Sequence, residues 1–338
     1  MSRRDLDRLD EDDIRTRANP RGSRPRSKNR PSHEDAHDGM VLTVDRGRYG
    51  VLVSASGRAG AKGGATINAM RARELGRKAI AVGDRVSLVG DVDPNHGESL
   101  ARIVRIAERD TLLRRTADDD DPTERVLVAN ADQMVIVAAL ADPEPSYGLI
   151  DRCLVAALSA GIEPILCFTK SDLASPEEAM ARYAELDVPV VVTRQGGELD
   201  ALRDRLDGHL SVLVGHSGVG KSTLINVLVP DAYRAIGRVS AIGKGRHTSS
   251  SAIALPLPDG TGWVIDTPGV RSFGLAHVTA ADLLWAFPDL EDGANTCPPG
   301  CEHVSAEAGC ALDKWVEDGH ADPERLAAFR RLLVSRND

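Results

Sequence analysis

Aromatic side chains are scarce in this chain, with four Phe, three Trp and four Tyr among 338 residues, and Tyr49 is the only one before Tyr147. The amino-terminal part has almost no platforms on which bases could stack, so any nucleic acid held there is gripped through phosphates and shape. Long apolar runs are missing too. No stretch approaches the roughly 18 apolar residues that a membrane helix needs, and the charged start lacks the apolar centre of a signal peptide. The expectation is a cytoplasmic protein with no membrane partner. Cysteine is sparse, five residues in all, and in a reducing compartment these are read as core residues or metal ligands rather than disulfides. Cys153 and Cys167 lie in apolar segments and are expected in the core. Positive charge is in deficit, the formal net charge being -9. Taken as an average this speaks against a nucleic-acid partner, but the average conceals a polarised amino terminus. From Ile14 to His33 there are seven Lys or Arg and no Asp or Glu, together with Pro20, Pro25, Pro31 and Gly22. No core can form there. The run is either a solvated tail or an arm that meets RNA.

What is present is enough for two or three domains. The hydrophobic fraction is 42% with few aromatics, so Val, Leu, Ile and Ala fill the interior, as they do around a parallel sheet. Short β-like runs at Met40–Val44, Tyr49–Val53, Val82–Val89 and Ala101–Ile106 suit a small barrel over residues 39–110, after a basic tail over 1–38. Between them, Gly57 to Arg77 reads as a loop and a short helix carrying Arg58, Lys62, Arg71, Arg73 and Arg77. Such a barrel either binds RNA or meets only protein. Over 111–275 the pattern becomes apolar strands alternating with helices, at Gln133–Leu140, Pro164–Phe168, Val188–Thr193 and Leu210–Val214. That alternation predicts a parallel sheet. Ser251–Leu257 and Trp263–Ile265 then flank a Pro-Asp-Gly turn, and residues 276–338 read as mostly helical around a cysteine cluster.

The strand Leu210–Val214 runs into Gly215, His216, Ser217, Gly218, Val219, Gly220, Lys221, Ser222 and Thr223, followed by an apolar helix. This is a P-loop in its required strand–loop–helix context. Backbone N–H groups close around phosphate oxygens there, Lys221 reaches the β and γ phosphates, and Ser222 offers a hydroxyl to magnesium. Downstream, Asp266-Thr267-Pro268-Gly269 ends a strand. It has the form of a phosphate sensor, with Asp266 toward magnesium and the Gly269 N–H toward the γ phosphate. Base choice falls to Thr169-Lys170-Ser171-Asp172 at the end of another strand. A carboxylate at Asp172 accepts both N–H groups of guanine, while adenine offers no matching pair. This motif precedes the P-loop, an order that a circular permutation explains.

Taken with Ala129–Gln133, Gly161–Pro164, Gly245–Thr248 and Asp266–Leu275, these blocks make the chain resemble the ribosome small-subunit-dependent GTPase A family of circularly permuted GTPases over roughly residues 40–335. The resemblance implies an OB barrel, a permuted α/β P-loop GTPase domain and a small helical zinc-binding domain. It further implies action on the 30S subunit late in assembly, with GTP hydrolysis stimulated by that subunit. Thr169 stands where the family usually has Asn, which removes an amide that would reach the base and the P-loop. Val270 occupies the place of a water-orienting Gln, and the resemblance points instead to His247 as the catalytic residue, with a solvent-exposed loop histidine as the alternative. Thr248, or Ser249 beside it, would be the further magnesium ligand.

Cys297, Cys301, His303 and Cys310 place three thiols and one imidazole within fourteen residues, a closed ligand set of the structural-zinc type. Binding of the ion contributes on the order of 10 kcal/mol to ordering so short a segment. The leading expectation is a monomeric, magnesium-dependent GTPase that binds rRNA on the small subunit. Two alternatives stand beside it: an RNA-binding assembly factor with GTP as a structural ligand, and a permuted GTPase serving the large subunit.

Overall fold

The computed structural model describes residues 33–335 apart from 34, 46, 54–63, 77–78, 94–100, 119–120, 231–251, 259–260, 268–272, 274, 276–277 and 307–308. The basic tail lies almost wholly outside the described residues. Five strands open the fold: β1 (His37–Asp45), β2 (Arg48–Val53), β3 (Ala65–Arg71), β4 (Arg85–Val89) and β5 (Ala101–Ile106). They pair in the order β1-β2-β3-β5-β4, and β4 returns to β1 to close a barrel. All pairings are antiparallel except β3 with β5. Val41, Tyr49, Val51, Ile67, Val86, Leu88 and Ile103 fill it.

β3 corrects one expectation. The sequence pattern of Gly57–Arg77 predicts a loop and a short helix, but Ala65–Arg71 is a strand in which Ile67 and Ala69 turn inward. The alternation is real but carried by only two residues, Ile67 and Ala69, and the neighbouring arginines hide it. A 3-10 turn follows at Arg73–Leu75.

A hairpin of β6 (Leu112–Asp118) and β7 (Asp121–Ala129) leads into β8 (Gln133–Ala139). Then come α1 (Tyr147–Ser159), β9 (Glu163–Thr169), α2 (Glu177–Arg182), β10 (Val190–Val192), α3 (Asp200–Leu206), β11 (Leu210–Val214) and α4 (Lys221–Leu228). β12 (Ile253–Pro256) and β13 (Trp263–Asp266) complete a sheet in the order β10-β9-β8-β11-β13-β12, parallel except for β12. Both faces are covered. Met134, Ile136 and Ala138 of β8 join the core on the α1 side, while Val135, Val137 and Ala139 join the core containing Leu202, Leu224 and Leu228 of α3 and α4. A strand buried on both faces reads as an unbroken apolar run, which is why β8 was visible in the sequence.

Barrel and parallel sheet are continuous through one pairing, Thr43 of β1 with Ile253 of β12. β1 is apolar on both sides for this reason: Val41 faces the barrel, Met40 and Leu42 the larger core. A buried Asp84 and the guanidinium of Arg109, 2.7 Å apart, brace the barrel end, and the Asn130 amide donates to the Gly83 carbonyl oxygen.

The carboxyl-terminal part contains α5 (Ala281–Leu284), α6 (Pro288–Ala294), α7 (Ala311–Glu317) and α8 (Pro323–Ser335). Gly293 of α6 has no room for a side chain, since a Cβ there would stand 2.5 Å from the Trp315 ring of α7. α8 packs along α1, with Phe329 edge-on to Phe287 at 5.2 Å. The Trp285 indole donates to the Leu158 carbonyl oxygen at the end of α1. Among the described residues, no helix is long and apolar enough to cross a membrane.

Candidate functional site

Parallel strands deliver their carboxyl ends to one edge, where ligands bind in open α/β sheets. β11, β13, β9 and β10 bring four segments to that edge. Gly215 leaves β11 at φ 148, and a Cβ on it would lie 2.2 Å from the Val137 carbonyl oxygen of β8. Only glycine fits so close a passage. Gly218 and Gly220 also have positive φ, and Gly220 caps the first turn of α4.

Lys221 begins that helix and folds back over the loop, its ammonium donating to the carbonyl oxygens of Gly215 at 2.6 Å and His216 at 3.2 Å. It is buried, and burial holds its pKa below the usual lysine range, with the Asp266 carboxylate opposing the shift. Asp266, aligned with Leu213 across the parallel pair β13–β11, is shifted upward by burial and pulled back by Lys221. A buried cation and a half-buried anion thus lie within electrostatic reach of each other beside the loop, the charge pattern a phosphate–metal pair would enter. The Thr267 hydroxyl donates to the Leu213 carbonyl oxygen at 2.7 Å and fixes the chain just after Asp266. Ser217, Ser222 and Thr223 are exposed at the loop and the first helical turn, and Val219 packs inward.

At the end of β9, Thr169 is buried and its hydroxyl donates to the Val219 carbonyl oxygen at 2.6 Å. The expectation that Thr in place of Asn would cost the tie to the P-loop is therefore corrected. The shorter side chain makes the tie because Thr169 also lies against Gly220, where a Cβ would sit 3.6 Å from its hydroxyl. Lys170 has left-handed backbone, φ 60, and its ammonium reaches the Asp142 carbonyl oxygen. Asp172 is exposed and accepts a hydrogen bond from the Gln195 N–H at 3.3 Å. The Ser171 N–H donates to the Thr193 carbonyl oxygen. The segment Thr193–Gln195 after β10 thus lies against this site, a place that no motif in the sequence marks. The only available signal was its place at the end of the next parallel strand.

Among the expected site residues, His247, Thr248 and Gly269 lie outside the described residues, as do Ser249 and Val270. The others named from the sequence gather on one sheet edge, except the cysteine cluster.

That cluster forms a second centre. The donor atoms of Cys297, Cys301, His303 and Cys310 lie within 4.8 Å of one another. Cys297 Sγ is 3.4 Å from His303 Nδ1 and 3.9 Å from Cys310 Sγ, and Cys310 Sγ is 3.7 Å from His303 Nδ1. Tetrahedral zinc with ordinary bond lengths separates two sulfurs by about 3.8 Å and a sulfur from a nitrogen by about 3.5 Å. The residues fit the ion. Burial, with the crowding of Cys297 and Cys301, pushes the Cys310 thiol up to about 11, so without a cation this thiol stays protonated. Burial and the charge of Arg330 lower the His303 pKa, which keeps the imidazole neutral as a ligand must be.

Comparison with known proteins agrees with this geometry. The family model described as RsgA GTPase matches residues 106–276. The small ribosomal subunit biogenesis GTPase RsgA of Pseudomonas syringae pv. tomato is 40% identical over 267 residues, which cover 76% of this chain and 75% of that protein. The protein of the same name from Pseudomonas savastanoi pv. phaseolicola is 38% identical over 307 residues, 88% of this chain and 85% of the relative. Among solved structures, YloQ, titled a circularly permuted GTPase, has a TM-score of 0.62 at 24% identity and covers 92% of this chain and 98% of its own. YjeQ from Thermotoga maritima has a TM-score of 0.62 at 25% identity, covering 88% and 98%. With the P-loop, the strand-end aspartate and the base-end motif converging on one edge of a permuted sheet, the chain belongs to the RsgA GTPase family.

Proposed function

We propose that this protein is a magnesium-dependent GTPase of small ribosomal subunit maturation, binding the 30S subunit and its rRNA and hydrolysing GTP to GDP and phosphate. The observation that carries the reading is the convergence of the P-loop, Asp266 and Thr169–Asp172 on one sheet edge, in a chain whose relatives are named for small-subunit biogenesis. Those names speak for the small subunit rather than the large one.

Gly215–Thr223 surrounds the phosphates. Lys221 exchanges its carbonyl partners for phosphate oxygens, a charge-assisted replacement that a triphosphate favours. Ser222, Asp266 and Thr248 hold magnesium, which neutralises charge developing on the β and γ phosphates. Thr169, Lys170, Ser171 and Asp172 bind guanine, and the Gly269 N–H senses the γ phosphate. His247 orients the attacking water. Its hydrogen bond aligns the water with the γ phosphorus, which Val270 in the usual glutamine place has no polar atom to do.

We assign the tail to 1–38, the RNA-binding barrel to 39–110, the permuted GTPase to 111–275 and the zinc-binding helices to 276–338. One structural Zn2+ is held by Cys297, Cys301, His303 and Cys310. The protein acts in the cytoplasm as a monomer. The test is the GTPase rate with purified small and large subunits: strong stimulation by the small subunit alone is expected, and equal rates with both would refute the reading.

A further inference from the structure

Three thiolates, one neutral imidazole and one divalent ion sum to a net charge of minus one, and two of the ligands, His303 and Cys310, are buried. A buried anion of this kind requires a cation close by. Arg330 of α8 stands there. Its Nε donates to the His303 carbonyl oxygen at 3.1 Å, and its two terminal nitrogens lie 2.8 and 2.6 Å from the two oxygens of Asp313, three residues after Cys310. One guanidinium therefore holds both chain segments that carry the later ligands. The grip on His303 matters because that residue has left-handed backbone, φ 58, which a non-glycine residue adopts only when its surroundings impose it. The other cations of α7 and α8 are engaged elsewhere: Lys314 with Asp318, Arg325 with Asp289 and Asp187, and Arg331 with Asp151.

We propose that Arg330 is the positioning residue of the metal centre, fixing the His303 loop and the start of α7 so that the later ligands face one point. The inference rests on the zinc reading above. A planar fork is required, since a lysine ammonium cannot hold the His303 carbonyl and both Asp313 oxygens in one plane.

The test uses the full chain carrying Arg330→Met, Arg330→Lys or Asp313→Asn, with zinc content, zinc affinity against a chromophoric chelator, the Co2+ absorption spectrum and melting with and without chelator as readouts. Wild type should hold one zinc, and Arg330→Met should weaken zinc affinity about 10- to 100-fold, with a shifted Co2+ spectrum. Arg330→Lys should fall between the two. Destabilisation should be larger in the zinc-loaded than in the stripped protein, whereas a merely structural arginine would lower both equally. Should Arg330→Met fail to fold, Arg330→Lys and Asp313→Asn carry the test, and unchanged affinity and spectrum in both overturn the proposal. Wild-type protein that binds no zinc would sink the zinc reading itself. Zinc-binding wild type with an indifferent Arg330→Met sinks only the role of Arg330.

Discussion

The Thr169 hydroxyl joins the end of β9 to the P-loop through a 2.6 Å hydrogen bond to the Val219 carbonyl oxygen. The P-loop and the segment proposed to read the base, fifty residues apart in sequence, are thereby tied together. Thr169→Val keeps the shape and deletes the donor, leaving a buried carbonyl unpaired. GDP affinity should fall about fivefold to tenfold, equivalent to about 1 to 1.4 kcal/mol. Thr169→Asn restores an amide that extends further toward the base and should bind at least as tightly as wild type. Titration with a fluorescent GDP analogue decides, and wild-type affinity in Thr169→Val would remove the tie from the account.

In the proposed function base specificity falls to Asp172, whose carboxylate accepts a hydrogen bond from the Gln195 N–H. Xanthine replaces one of guanine's two donors by an acceptor. Asp172→Asn should therefore turn preference from GTP toward XTP. Competition between the two nucleotides measures it, and undiminished preference for GTP would show that Thr169–Asp172 does not read the base.

What the sequence made legible was local. The P-loop and the cysteine cluster are compact strings whose chemistry depends on near neighbours, and the structure assembles the described part of each. The barrel strand β3 was not legible, because only Ile67 and the small Ala69 turn inward. The hairpin β6–β7 was hidden by the acidic run Asp118–Asp121, which reads as loop until its flanks pair. Barrel closure by β4 on β1, and the joining of β1 to β12, depend on partners far apart in the chain. Thr193–Gln195 contributes backbone groups, which any residue type supplies, so composition gave no sign of it.

Thiol chemistry separates the two classes of cysteine. Burial pushes both Cys153 and Cys167 up to about 12, so at pH 8 only about one molecule in ten thousand presents a thiolate. Cys153 lines a cavity of about 210 Å³ beside the P-loop, so ionisation as well as access limits its reaction. In the native protein neither should be alkylated on the timescale that labels the half-buried Cys297 and Cys301 after chelation. Mass spectrometry should count two rapid adducts, a slower third at Cys310, whose buried thiol is itself raised to about 11, and five only after unfolding. Because these folded-state values are raised, the thiols add most to stability below the ordinary thiol range and withdraw it as pH rises above about 8.5. Rapid labelling of Cys153 in chelated, folded protein would contradict its buried, neutral state.

Chemistry and binding should separate at two other positions. His247→Ala should bind GTP normally yet lose most subunit-stimulated hydrolysis, whereas Lys221→Ala should weaken nucleotide binding itself, since Lys221 sits within the loop. Single-turnover rates at saturating GTP distinguish them. Full stimulated turnover by His247→Ala would transfer the water-orienting role to another group.

Arg325 links the helices around the cysteine cluster to the flank of the parallel sheet. Its side chain is only 12% exposed; Nε lies 2.6 Å from Asp289, while one terminal nitrogen donates to the Glu185 carbonyl oxygen and lies 2.9 Å from Asp187. The guanidinium also stacks 5.1 Å from the Phe287 ring centre. Glu185 and Asp187 belong to the turn after α2, so one arginine on α8 spans the seam. Asp187 is largely exposed and adds little. The partly buried Asp289 and the Glu185 carbonyl carry the cost, and Arg325→Ala should destabilise the protein by about 2 kcal/mol. Arg325→Lys should be intermediate, since an ammonium cannot meet both partners while lying over the ring. No Arg325 partner belongs to the nucleotide motifs, so GDP affinity should stay at the wild-type value. If the helices pass subunit contact on to the GTPase through this seam, stimulated hydrolysis should fall in step with the loss of docking. Denaturant midpoints, GDP titration and subunit-stimulated turnover on the same three proteins test the chain of cause. Lowered stability with full stimulation would show that the seam holds the fold together without carrying the signal.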